Sequence, residues 1–327
     1  MAFILVILIY GCGGNAGSFE EISVDLRVVR FEQELFNVDI YNADSGFRKL
    51  AAKYPGFMPL FSNRIIEIGD TAGEWFAESM LMFVTDQAMY NIFKQVSEVF
   101  PGFDEQKKEL DRGFSKFHSF FPEKDIPDVY TYISGFNQTM VTAEGILGIS
   151  LEKYLGGNCC LYDEVYPPIP RYQRYRMNPS NIAPDALKAW ASTEFEYLPK
   201  QNDLLSRMLY EGRNMFLLKQ IFPEIADSVL WSFTLAQMDF CTKNEKYMWT
   251  YLIEQKLLFS TNQNKNNQFI EEAPFTKDFS VESPGRTGVW IGYRIIDNYY
   301  RKNKVGLEQL MLENDYQKIL NGSKYRP

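Results

Sequence analysis

With 327 residues, the chain can bury one large core or two closely packed ones, and its 46% hydrophobic and 16% aromatic content excludes an intrinsically disordered protein. Its 34 Lys and Arg against 42 Asp and Glu give a formal charge of −8, which argues against a nucleic-acid partner, because phosphate backbones are met by a cationic face. A single histidine, His118, excludes any site that needs two or three imidazoles from one chain.

The segment Met1 to Gly11 is almost wholly apolar and ends just before Cys12. It is too short for an ordinary transmembrane helix. Ile9-Tyr10-Gly11-Cys12 fits a bacterial lipoprotein cleavage site, a small residue preceding the cysteine that becomes lipidated. Residues 1–18 therefore read as a lipoprotein signal and short tether, with an acyl (palmitate) anchor on Cys12 in the membrane of the cell envelope, inner or outer left open. The usual positive residues at the start are missing. A buried first strand followed by a glycine turn is the alternative.

Residues 19–327 are expected to form one domain of α+β class, predominantly helical with a small mixed sheet. Ile22, Val24, Leu26 and Val28 alternate with polar residues as an edge strand does. Asn42 to Ser45 caps a helix through Tyr54, ended by Pro55-Gly56. Asp70 to Phe100 reads as interrupted helix, with Trp75, Met80, Met82 and Met89 in the core, and Asp104 to Phe121 as an amphipathic helix carrying Leu110, Phe114, Phe117 and Phe121 on one side. Short β-prone runs follow at Val129 to Phe136 and Met140 to Leu151. Adjacent Cys159 and Cys160 suit neither a spaced metal-ligand pair nor a mutual disulfide, which leaves a bridge to Cys241 or ordinary thiols.

Pro167, Pro168 and Pro170 force an extended crossing. Arg171, Arg174 and Arg176 then stand among Tyr172 and Tyr175. Such a patch either recognises a phosphate, a carboxylate or an acidic partner, or pins a long loop. Helices are expected at Ile225 to Met238, Asn244 to Leu258 and Leu307 to Leu320, with a polar loop at Asn262 to Asn267 and a helix from the turn Ser283-Pro284-Gly285 through Tyr300.

Between Pro184 and Gln220 two helices each carry a carboxylate on an apolar face. Leu187, Trp190, Glu194, Tyr197 and Leu198 recur at helical spacing in the first, which Pro199 ends or kinks. Leu204, Met208, Glu211, Met215 and Leu218 do so in the second. A buried carboxylate must be paired, bonded or protonated, and Arg286 and Arg294 are possible partners because a guanidinium grips a carboxylate bidentately. A thermolysin-like zinc hydrolase would need two histidines four residues apart, a glutamate beside the first and a third ligand from a following helix. Thr193 and Tyr197 stand where the histidines would, with Glu194 as the base and Glu211 as the third ligand. That set cannot hold zinc, so no cofactor or metal is expected. Two carboxylates could still perform acid–base hydrolysis, the enzymatic alternative.

Several stretches together carry a family resemblance: Arg171-Tyr172 with Arg176-Met177-Asn178-Pro179, Asn244 to Trp249, Glu254 to Ser260, Ser283 to Gly288, Asp315 to Leu320 and Lys324 to Pro327. With Cys12, they resemble the gliding motility lipoprotein GldB family across almost the whole chain. The resemblance implies a membrane-attached, noncatalytic accessory lipoprotein required for bacterial gliding, in contact with motility or type IX secretion proteins. It also implies a distant kinship with zinc-dependent proteases. The fold would then be a degenerate zincin-like domain and the chain a pseudoenzyme, with Glu194 and Glu211 as vestiges and the arginines at 171, 174, 176, 286 and 294 in support or interaction.

Overall fold

The computed structural model describes residues 23–327. Cys12 and the signal reading lie outside them. The fold is α+β and predominantly helical, around a small mixed sheet.

Helices of eight residues or more are numbered here with the strands. The amino-terminal half comprises β1 (Val28–Arg30), α1 (Ala43–Lys53), α2 (Phe76–Thr85), α3 (Gln87–Val99) and α4 (Asp104–Phe120), then β2 (Asp128–Tyr132), β3 (Met140–Ala143) and β4 (Ile146–Ser150). The remainder is helical: α5 (Ile182–Glu194), α6 (Leu204–Ile221), α7 (Leu235–Lys243), α8 (Glu245–Glu254), α9 (Gln263–Ile270), α10 (Thr287–Asn303) and α11 (Tyr316–Ser323). The sheet runs β1-β2-β4-β3. The first two pairings are parallel and β3 is antiparallel to β4.

Alternation along β2 and β4 divides the interior. Val129, Leu147 and Ile149 face a large core with α4, α5 and α6, while Tyr130 and Tyr132 face a smaller one containing Phe31, Phe47, Phe57 and Phe61. Successive side chains of a strand point to opposite faces, so a sheet covered on both sides supplies two cores at once. Tyr130 stacks on Phe57 with ring centroids 4.4 Å apart.

α6 is buried on nearly every side, from Leu204 to Ile221, as befits a helix with apolar residues all round rather than on one stripe. It crosses α10 where glycine meets glycine. A β-carbon on Gly292 would lie 1.9 Å from the Met208 carbonyl oxygen, and one on Gly212 would lie 2.3 Å from the Tyr293 amide.

Several expectations need correction. α5 stops at Glu194, where the Phe195 amide bonds to the Ala191 carbonyl, so Tyr197 and Leu198 lie beyond the helix and Leu198 is exposed. The extended run before β1 stays out of the sheet because α4 satisfies its backbone: the Val24 and Leu26 amides donate to Ser115 Oγ and an Asp111 carboxylate oxygen. The interruption expected within Asp70 to Phe100 falls at Asp86, which caps α3 through the amides of Ala88 and Met89. Met80 is core, but Trp75 and Met82 are exposed.

The stretch expected as one helix over Ile225 to Met238 breaks at Ser232, whose φ is +54°; Thr234 and Gln237 then start α7 with a reciprocal capping box. The expected polar loop at Asn262 is instead the cap of α9, its side chain accepting from the Lys265 amide. Leu307 to Leu320 likewise divides, with Asp315 capping α11. Cys159, Cys160 and Cys241 are all free thiols, which removes the bridge.

Candidate functional site

Three and four residues apart on α5, Asp185, Lys188, Ala189 and Ser192 turn one face toward α6 and line a cavity of about 480 Å³ together with Glu211. A neighbouring cavity of about 580 Å³ shares Lys188, Glu211, Arg176 and Glu272 and adds Arg207 and Arg286. Together they form a charged cleft over the α5–α6 seam.

Its ion pairs run in series. Lys188 Nζ lies 3.0 Å from a Glu211 carboxylate oxygen, the side chains keeping 24% and 27% of their surface. Arg176 bridges Asp185 and Glu272, and Asp185 also accepts from Tyr154 Oη at 2.9 Å. Arg207 holds Glu271 at 2.8 Å.

The charges set the protonation states. Burial alone would raise Glu211, but the Lys188 ammonium, aided by Arg286 and Arg207, outweighs it and holds the carboxyl below the usual range. Glu272 behaves alike: burial raises it and the guanidinium groups of Arg176 and Arg286 more than reverse this. For Arg176, burial is overcome by Asp185 and Glu272, and its pKa rises. Arg286 is pulled down by burial and further by the like charge of Arg176. Glu211 is thus a paired anion, unlike a general acid, which is kept protonated by a raised pKa.

Replacing Lys188 with methionine tests this pairing. A depressed folded-state pKa means that Glu211 contributes stability fully present above its unfolded value of about 4.3 and lost as pH falls through the lower folded value. K188M should remove that contribution, costing about 1–2 kcal/mol at pH 7 after allowance for partial exposure. The difference from the parent should shrink toward pH 3. Urea melts at pH 7 and pH 3 check it, and an equal loss at both would refute the pairing.

The other singled-out residues lie elsewhere or act otherwise. Glu194 turns away from Glu211 and pairs with Lys124 at 3.1 Å. The Thr193 hydroxyl donates to Thr142 Oγ1 at 2.8 Å, and Tyr197 reaches the cleft from the loop beyond α5. The frame Thr193, Glu194, Tyr197 is therefore not one helix face, because the helix ends inside it. Arg174 pins its own loop, bonding the carbonyls of Ile169 and Tyr162 and the Asp163 carboxylate. Arg171 is exposed. Arg294 pairs with Glu245 at 2.9 Å instead of an internal acid of α5 or α6. Arg286 lines the cleft beside Glu211 but makes no ion pair with it.

The α5 residue that meets Glu211 is thus Lys188, rather than Thr193 or Glu194. Zinc needs three or four nitrogen, sulfur or carboxylate ligands, and an ammonium already seated on the one carboxylate does not fit. Among the described residues no group of three or more His, Cys, Asp and Glu could hold a metal ion. Sequence reading missed Asp185, Lys188, Arg207 and Glu272. The polar positions at i, i+3 and i+7 within Asp185, Lys188 and Ser192 were the available signal, masked by the apolar repeat of Leu187 and Trp190.

The scaffold is thus a predominantly helical α+β fold with a charged cleft over the α5–α6 seam. The sequence profile described as gliding motility protein GldB matches residues 15–327, and the chain belongs to that family. Membership links it to gliding motility as an accessory lipoprotein of the cell envelope. Searches of curated proteins and of solved structures gave no match. Among the described residues, no helix is long and apolar enough to cross a membrane.

Proposed function

We propose that this chain is a noncatalytic lipoprotein, tethered to the membrane through Cys12, whose folded body contacts another component of the gliding or type IX secretion machinery. Residues 1–18 serve as signal and tether, and residues 19–327 act as one domain. The family match over residues 15–327 carries this reading. The cleft supports it: Glu211 is neutralised by Lys188, and Glu194 is committed to Lys124 on another face, an arrangement unsuited to two-carboxylate hydrolysis. In this reading α5 and α6 are a degenerate zincin-like pair whose remaining acid, Glu211, is paired with the Lys188 ammonium.

Covalent crosslinking in intact cells, followed by capture of the chain, tests the proposal against a Cys12→Ala control. One motility-machine component should recur with the lipidated form and be lost or strongly reduced in C12A. Recovery of none, with the protein correctly localised, would refute the partner model. Hydrolysis that survives metal removal and vanishes in Glu211→Gln would refute the noncatalytic assignment.

A further inference from the structure

Arg286 stands apart from the other cations of the cleft. It is only 7% exposed and lies in the wall between the 580 Å³ cavity and a third of about 290 Å³. A guanidinium offers five N–H donors. Yet among the described residues its side chain has one hydrogen bond, from Nη2 to the Met215 thioether at 3.5 Å, a weak acceptor. It also stacks 6.0 Å from the Trp231 ring centroid. The carboxylates that act on it through charge, Glu272, Glu211 and Asp185, are held by Arg176 and Lys188. A buried cation without an anion of its own is costly, and here the cost falls on a residue whose φ of +58° already favours glycine.

The third cavity supplies the rest of a recognition site. Trp231, Phe233, Pro284 and Tyr175 form its apolar wall, and Arg171, with no ion pair among the described residues, stands on its lining with Gln237. The Trp231 and Phe233 rings lie 5.6 Å apart. Gly285 fixes the turn that presents Arg286, since a β-carbon there would meet the Ala273 backbone at 2.6 Å. One buried guanidinium beside an aromatic slot matches a planar monoanion with an apolar group attached. A second negative charge would meet the Glu272 carboxylate, which stands on the same lining.

We infer that this cavity binds a small apolar carboxylate, Arg286 taking the carboxylate and the Trp231–Phe233 wall the apolar group. The same chemistry is offered by a free acid and by the carboxyl end of a peptide whose last residue is apolar. The site goes beyond the accessory role, and its test on the purified chain succeeds or fails whatever crosslinking in cells shows.

The full chain, purified in detergent, is titrated with N-acetyl-phenylalanine, its uncharged amide, Gly-Gly-Phe and inorganic phosphate, followed by calorimetry and tryptophan fluorescence. The acid should bind saturably and at least tenfold more tightly than the amide, with phosphate failing to compete. Arg286→Gln should lose at least tenfold in affinity for the acid while leaving the amide unchanged. Gly-Gly-Phe binding as well as the acid would assign the site to a peptide carboxyl end, and its failure would assign it to a free acid. Equal affinity for acid and amide, no binding of either, undiminished binding by folded R286Q, or competition by phosphate would each overturn the proposal. Should R286Q not fold, the acid-to-amide ratio on the unchanged chain decides, because it removes the charge from the probe instead.

Discussion

Replacing Gly292 with alanine is expected to be the most damaging single-methyl change in the protein, costing about 3 kcal/mol or more of folding stability. The added carbon would sit 1.9 Å from the Met208 carbonyl oxygen and 2.5 Å from its carbon. Both are backbone atoms of a helix buried on nearly every side, so no side chain can swing away to make room. α6 and α10 would have to separate, opening voids among Leu209, Met215, Ile291 and Ile295, all part of the large core. Gly102→Ala is the control: its added carbon meets only an Asp104 carboxylate oxygen at 3.8 Å, and stability should move by about 0.5 kcal/mol or less. Urea melts of both variants read the difference. A G292A midpoint as close to the parent as that of the control would mean the helices cross further apart than described.

Glu152→Ala should be nearly as severe, at about 3 kcal/mol, for an electrostatic reason. The residue is fully buried, and its Oε1 accepts from the Ser134 amide at 2.6 Å, the Ser134 hydroxyl at 2.9 Å and the Phe136 amide at 3.2 Å. These donors belong to the turn after β2, where Gly135 and Phe136 take φ of +71° and +70°. Alanine would strand the buried Ser134 amide and the part-buried Phe136 amide, a buried donor costing about 1–3 kcal/mol when left unmade. Glu152→Gln keeps one acceptor oxygen and should cost clearly less, although its amide would face the position where Oε2 has no partner. Equal loss in the two variants would show that neither the side-chain volume nor a neutral acceptor oxygen holds the turn, and that the carboxylate charge does.

Long helices with apolar periodicity were legible in the sequence: α4 carries Leu110, Phe114 and Phe117 inward as their spacing predicts, and α6 begins at Leu204 after its Asp203 cap. The short β-prone runs became the sheet because alternating side chains have only two faces to choose between. The break at Ser232 was not legible, since a left-handed conformation is a matter of backbone geometry that composition does not encode, whereas an interruption within Asp70 to Phe100 was, and Asp86 places it. The cleft was half legible. Glu211 was identified as an acid requiring a partner, but the partner is Lys188 on the preceding helix, and only the packing angle of α5 on α6 could bring the two together. Glu194 shows the converse, a residue at apolar spacing that lies where its helix ends and a lysine from the turn after α4 can reach it.

The parallel pairing of β1 with β2 has a consequence in time. Val28 is paired with Val129 and Arg30 with Thr131, so the sheet joins residues about a hundred positions apart, and non-local pairing of this kind closes slowly. At synthesis rates of roughly 5–20 residues per second, Phe31 precedes Tyr130 and Tyr132 by roughly 5–20 s. During that interval Phe31, Phe47, Phe57 and Phe61 lack the tyrosines that complete their core. The aromatic segment of this chain is therefore made early and covered late, so its order of emergence rather than its finished stability sets how long those side chains stay uncovered.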